Sequence, residues 1–151
     1  MTQPMIRRAA ASDISKIQAI VNDAYAHYIA RIGREPAPMT DDYAEHVRAR
    51  NIWVLETAQG IAGLIVLRME TGYLLVSNVA VGSEYQGNGY GRKLLDFADA
   101  FAAQNGKREL RLYTNELMHE NLAIYSKLGW EEYDRAEQNG FQRVFMRKEL
   151  P

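Results

Sequence analysis

Val79-Ala80-Val81-Gly82-Ser83-Glu84-Tyr85-Gln86-Gly87-Asn88-Gly89-Tyr90-Gly91-Arg92-Lys93 carries an apolar strand ending, through a glycine-rich loop, into the start of a helix. Glycine tolerates positive φ and lets a ligand come close to the backbone, so successive amides at Gly87, Gly89 and Gly91 can turn toward one anion. The helix that follows adds its unpaired first amides and the positive end of its dipole. Arg92 and Lys93 fall in its first turn, where the dipole disfavours a cation by about 0.3–1 kcal/mol, a misfit that a bound phosphate would relieve. The stretch therefore reads as an anion site. Taken without its surroundings, the glycine spacing serves equally well as a tight strand-to-helix turn.

Upstream, three strand signals follow one another closely at Ile52 to Thr57, Ile61 to Glu70 and Tyr73 to Val81, with turns at Ala58-Gln59-Gly60 and Thr71-Gly72. This predicts an antiparallel meander. Its second and third strands are nearly continuous in apolar residues, as expected of strands covered on both faces. The N-terminal third predicts a strand at Met5 to Arg8 and a helix from about 13 to 31. Ser12 and Asp13 are its capping candidates, and Ile14, Ile17, Val21, Ala24 and Tyr28 form its stripe. Thr40 before Asp41, Asp42 and Tyr43 gives another capped start, from which a shorter helix should run to about Arg50. Downstream, Leu94, Phe97, Ala98, Phe101 and Ala102 mark an amphipathic helix stopped near Asn105-Gly106. A strand at Glu109 to Thr114, a short helix at Asn121 to Leu128 and a hairpin turning at Gln138-Asn139-Gly140 complete the order β-α-α-β-β-β-α-β-α-β-β.

The 151 residues suit a single domain spanning 1–151, and a net charge of −1 offers no global field for nucleic acid. The absence of cysteine removes disulfides and thiol chemistry, and three scattered histidines give no metal-ligand spacing, so no metal is expected. His27 and His46 read as solvent-facing or packing residues. Met1 to Ile6 lacks a signal pattern and Ile61 to Leu67 is too short to span a bilayer, which makes a cytoplasmic protein away from membranes the expectation. A dinucleotide fold would place G-x-G-x-x-G in a βαβ unit, whereas here G-x-G-x-G follows a meander; Gly106-Lys107-Arg108 fails as a Walker A site.

In this context the chain resembles the GNAT superfamily of N-acetyltransferases. Gln86, Gly89 and Gly91 match the family's coenzyme motif, Ile6-Arg7 and Asp13 its opening, Val79-Ala80-Val81 the strand before the loop, and Tyr125 to Trp130 its later motif. The resemblance implies an α/β (α+β) fold, with a mixed, mostly antiparallel central sheet of about six or seven strands and helices on both faces. It implies acetyl-CoA as co-substrate. Its pyrophosphate would be held by the amides of Gln86, Gly87, Asn88, Gly89, Tyr90, Gly91 and Arg92, and its pantetheine arm by the backbone of Val79, Ala80 and Val81.

Acetylating an amine with a thioester needs a neutral amine, donors for the developing oxyanion and a proton for the departing thiolate. Tyr125, in Tyr125-Ser126-Lys127-Leu128-Gly129-Trp130, is the residue the resemblance places at the thioester sulfur as general acid. A phenol titrating at about 10 stays protonated at neutral pH and can serve a thiolate whose conjugate acid titrates at about 8.5. Without the resemblance it reads as a core tyrosine. An asparagine expected seven residues earlier is replaced by Met118. Asn121, on the same face as Tyr125, is placed either to bind the pantetheine arm or to cap its helix. A glutamate often present on the strand before the loop is missing, with Ser77 and Asn78 in that stretch. The base is then a water relay or Glu116, with His119 and Glu120 close behind; as loop charges all three are equally at home in solvent.

The acceptor cleft falls to the first helix, the Ile32 to Met39 loop and the second helix, with Tyr25, Tyr28, Tyr43 and Glu45 as candidates. The acceptor is a small-molecule or peptide amine. The alternative is a non-catalytic acyl-CoA-binding or interaction module on the same fold, and a nucleotide-binding protein using the loop is a third possibility. A monomer or a homodimer fits, since the strand after Gly140 is expected to be an exposed edge that could pair with a second copy or that Gln142, Arg143, Arg147 and Lys148 could equally protect.

Overall fold

A computed structural model of the protein describes residues 3–151. Met1 and Thr2, part of the segment read for a targeting signal, lie outside the described residues. The elements are β1 (Met5–Arg8), α1 (Ile14–Tyr25), α2 (Tyr28–Ile32), α3 (Tyr43–Ala49), β2 (Ile52–Thr57), β3 (Gly60–Glu70) and β4 (Tyr73–Val81). After them come α4 (Tyr90–Gln104), β5 (Glu109–Asn115), α5 (His119–Lys127), β6 (Glu131–Gln138) and β7 (Phe141–Glu149). One seven-stranded sheet runs β1-β2-β3-β4-β5-β7-β6. Antiparallel pairing joins β1 to β2, β2 to β3, β5 to β7 and β6 to β7, while Leu74–Val76 of β4 pair in parallel with Leu110–Leu112 of β5. This is the expected mixed, mostly antiparallel sheet.

The chain forms two compact units. The first holds residues up to Leu67 together with Asn78–Ala98, and the second Arg68–Ser77 with Asp99–Pro151. In the first, Ile17, Ile20 and Val21 of α1, Val54 and Leu55 of β2, the apolar side chains of Ile61, Ala62, Leu64, Ile65, Val66 and Leu67 of β3, and Leu94, Leu95 and Ala98 of α4 are buried. Gly63 interrupts the β3 run for a packing reason. A Cβ there would sit 2.7 Å from the Ala80 carbonyl oxygen, 3.2 Å from Leu94 Cδ1 and 3.3 Å from Val81 Cγ2. In the second unit Leu74, Val76, Ala102, Leu110, Leu112, Met118, Trp130, Val144 and Met146 are buried.

Four local expectations need correction. The single helix over 13–31 is two helices. At the break the Ile29 amide donates to Ala26, an i−3 bond, and Tyr25 and Tyr28 on either side of it are both buried. Thr40 does not cap α3; Asp42 does, accepting the Glu45 amide at 3.1 Å, while the Thr40 hydroxyl closes the preceding turn on Ala37. Nor is β4 buried on both faces, because burial alternates along it: Leu74, Val76, Asn78 and Ala80 are packed and the residues between them are half-buried. Asp13 also departs from its capping role. Its carboxylate receives two Arg7 nitrogens at 2.9 and 3.1 Å and the Ala10 amide at 2.7 Å, so it ties β1 to the chain entering α1.

Candidate active site

The glycine loop lies wholly in the first unit. After Val81, Gly82 donates its amide to the Ala62 carbonyl, and a single turn at Ser83–Tyr85 leads into the loop. Asp23 of α1 anchors that turn, accepting the Ser83 amide at 2.6 Å and the Ser83 hydroxyl at 2.9 Å. Gln86 turns its side chain inward and donates to the Val81 carbonyl at 3.2 Å, and Asn88 donates to the Tyr85 carbonyl at 2.9 Å. These two side chains brace the loop itself. Gly87 and Gly89 have φ of 85° and 78°, and a Cβ on either would meet nothing within 4 Å. Gly91, within α4, has no positive φ and faces Val81 Cγ2 at 3.9 Å.

The Gly89 carbonyl accepts the Lys93 amide at 3.1 Å, so α4 begins at Tyr90 and the amides of Tyr90, Gly91 and Arg92 precede the first intrahelical bond. Neither they nor the Gly87, Asn88 and Gly89 amides have an acceptor among the described residues. Arg92 and Lys93 are exposed, and neither has an ion-pair partner among the described residues. Open space above two left-handed glycines, unpaired amides and two unpaired cations at a helix start fit a pyrophosphate.

The packed face of β4 in this unit carries an asparagine. Asn78, 6% exposed, accepts the Tyr25 hydroxyl on Oδ1 at 2.7 Å and donates from Nδ2 to the Tyr43 hydroxyl at 3.0 Å. The Tyr43 hydroxyl donates to the Pro38 carbonyl at 2.5 Å. Burial, with the Asp41 charge adding to it, pushes the Tyr43 phenol well above its ordinary titration range. Tyr28 and Tyr43, read as acceptor contacts, are core residues at 4% and 2% exposure, so they shape the region from within. Glu45 instead pairs with Arg48 on the exposed side of α3. His46, read as solvent-facing or packing, is hydrogen-bonded: Nε2 lies 2.7 Å from Asp41 and Nδ1 3.2 Å from Asn51.

In the second unit, α5 ends so as to bring two aromatics together. Gly129 takes φ 96°, its amide donates to Ser126, and the Trp130 amide returns to the Tyr125 carbonyl at 3.0 Å. The Tyr125 and Trp130 rings meet edge to face at 6.1 Å, with Trp130 buried and Tyr125 half-buried. Asn121 is not the helix cap; Met118 holds that position, and Asn121 Nδ2 lies 3.7 Å from its sulfur. Glu116 faces Arg135 at 3.5 Å, and its amide donates to Gln142. His119 and Glu120 are exposed.

The family model described as an Acetyltransferase (GNAT) domain matches residues 48–132, more than half of the chain and with both motifs inside it. The chain belongs to the GNAT acetyltransferase family. A stretch of 58 residues is 40% identical to N-alpha-acetyltransferase 80 of Mus musculus, covering 38% of this chain and 17% of the mouse protein, so the chain spans only a small part of that relative. Two solved structures show the same fold. The PaiA N-acetyltransferase of Thermoplasma acidophilum, in complex with coenzyme A, superposes with a TM-score of 0.83 at 17% identity over 99% of this chain and 100% of that one. The ribosomal-protein-S18-alanine N-acetyltransferase of Escherichia coli does so with a TM-score of 0.77 at 18% identity over 98% and 94%.

Among the described residues no group of three or more histidines, aspartates and glutamates is arranged to hold a metal, and no helix is long and apolar enough to cross a membrane. Sequence reasoning missed Asp23, Gly63 and the Tyr25–Asn78–Tyr43 network. Gly63 was the most findable, as a glycine inside an otherwise unbroken apolar strand signals close backbone approach.

Proposed function

We propose that this GNAT chain transfers an acetyl group from acetyl-CoA to a primary amine of a small molecule or peptide, by direct attack within a ternary complex. The observation that carries it is the loop and helix start at Gly87–Lys93, whose amides from Gly87 to Arg92 and whose cations Arg92 and Lys93 lack partners among the described residues. Those amides, with Arg92, hold the pyrophosphate, and the backbone of Val79, Ala80 and Val81 receives the pantetheine arm, with Asn121 as a further contact. The coenzyme supplies the activated acetyl thioester. As the amine nitrogen bonds to the acetyl carbon and the carbon–sulfur bond breaks, the Tyr125 hydroxyl gives its proton to the departing thiolate. The nitrogen's proton goes to Glu116 or to a water relay.

With acetyl-CoA and an amine panel, free thiol should appear only when an amine is present. Tyr125→Phe should lower kcat by about 10²-fold or more while leaving coenzyme affinity nearly unchanged. An unaltered kcat would remove Tyr125 from this role. The absence of a glutamate from the Ser77–Asn78 stretch of the strand before the loop, with Asn78 buried and doubly engaged, favours a second reading as a non-catalytic acyl-CoA-binding module. That module would be stabilised by coenzyme while a broad amine screen stayed silent.

A further inference from the structure

Three polar or charged residues are buried among the described residues, and only one lacks a partner. Asp13 is held by Arg7 and Ala10, and Asn78 by two tyrosines. Arg143, 8% exposed, has a solvent-sealed Nε with no acceptor, and no carboxylate within ion-pair distance, among the described residues. Its guanidinium carbon lies 4.3 Å from the Tyr113 ring centroid and 5.7 Å from that of Phe141.

The neighbours that could serve it are already engaged. In register, Arg143 of β7 stands between Asn115 of β5 and Ala136 of β6. Asn115 Oδ1 accepts the Leu117 amide, the Gln142 carbonyl accepts the Glu116 amide, and Glu116 and Glu132 pair with Arg135. A guanidinium is a permanent cation, and its burial without a counter-ion is strongly unfavourable. The two aromatic rings offset only part of this. The charge is therefore held ready for an anion that the described residues do not supply.

Resting on the amine-acetylation reading above, we propose that Arg143 is an acceptor-binding residue and that the acceptor amine carries a carboxylate. Asn115, its partner in register, is the carboxyl-terminal residue of β5, which pairs in parallel with β4, and ligands of open sheets gather beyond the carboxyl ends of such strands. From Asn115 the chain passes through Glu116 to α5, which carries Tyr125. A flat, two-oxygen anion suits the planar donor edge of arginine, and Tyr113 and Phe141 supply aromatic walls beside it.

The test uses matched pairs of acceptors, each a free amino acid and its amide, with an acidic dipeptide as a further arm to separate a small amino acid from a peptide source. Wild type should favour the carboxylate members by roughly tenfold or more in kcat/KM, mostly through KM. In Arg143→Gln that ratio should collapse to within about twofold, with Arg143→Lys intermediate. Calorimetry with N-acetylated amino acids against their amides, without coenzyme, reports the same site independently of turnover. Binding there that is lost in Arg143→Gln, with no amine acetylated, would keep the carboxylate site and overturn the transfer reading. Amine turnover with equal kcat/KM for both members of each pair would overturn the carboxylate site alone. Arg143→Met should fold with an unchanged or raised Tm, because it removes a buried unpaired charge. A Tm lowered by several degrees, with no change in acceptor preference, would make Arg143 a packing residue instead.

Discussion

Asn78 Nδ2 donates to the Tyr43 hydroxyl across 3.0 Å, fixing α3 to the packed face of β4 next to the residues that lead into the glycine loop. The same amide accepts the Tyr25 hydroxyl, so one neutral side chain binds both α1 and α3. An asparagine suits this position better than a carboxylate. It can donate to one tyrosine and accept from the other, and it brings no charge to a site 6% exposed.

Tyr43→Phe removes the acceptor of Asn78 Nδ2 and the donor to Pro38 while preserving the ring. Leaving a buried amide donor unsatisfied should cost about 1–3 kcal/mol, lowering Tm by several degrees in a chain of this size. Denaturant unfolding measures the first and a thermal melt the second. If both match wild type, the network does not contribute to stability.

The glycines of the loop should separate by mechanism. Gly87→Ala places a Cβ on a residue with φ 85° and should cost about 1–2 kcal/mol even without ligand. Gly91→Ala meets only Val81 at 3.9 Å and replaces a glycine inside a helix, so it should stabilise the ligand-free protein by up to about 1 kcal/mol. Coenzyme titrations should nevertheless weaken for both variants if the pyrophosphate lies against this backbone. Undiminished affinity in Gly91→Ala would move the ligand away from the start of α4.

The fold was legible because its signals are local. The Asn139-Gly140 turn takes φ of 53° and 81°, the paired positive values that an Asn-Gly hairpin demands. Gly106 and Gly129 likewise end α4 and α5 where glycine stops were expected. What sequence could not supply were contacts between distant segments. Tyr25 and Tyr43 looked like acceptor contacts because nothing local revealed that Asn78, more than thirty residues from either, would bury their hydroxyls. Arg143 looked like edge protection for the same reason, since the pairing of β7 with β5 and β6 is what encloses it.

The Arg7–Asp13 pair gives a pH signature. The Arg7 guanidinium, helped by the Ala10 amide, holds the buried Asp13 carboxyl below its usual range despite burial acting the other way. Because the folded value is depressed, its stabilising contribution is present above the unfolded carboxylate value, about 4, and is lost as pH falls through the folded one. Asp13→Asn should lower stability at pH 7 by about 1–3 kcal/mol and flatten the dependence below about pH 5. Urea unfolding from pH 7 to pH 3 checks both, and parallel curves for the two proteins would exclude Asp13 as a source of acid sensitivity.

Gly63→Ala tests whether the coenzyme loop depends on packing beneath it. The new methyl would begin 2.7 Å from the Ala80 carbonyl oxygen, a backbone atom that cannot swing aside, and 3.3 Å from Val81. Relief requires β4 to shift just where it leads to Gly82 and the loop, so overpacking of about 1–3 kcal/mol should come with weaker coenzyme binding. Gly72→Ala is the control: a Cβ there meets nothing within 4 Å, and its penalty comes from φ 87° at a turn remote in sequence from the loop. Equal losses of stability in the two variants, with coenzyme affinity reduced only in Gly63→Ala, would tie the loop's geometry to the seat beneath Ala80. Equal affinity in both would mean that the loop holds its shape without it.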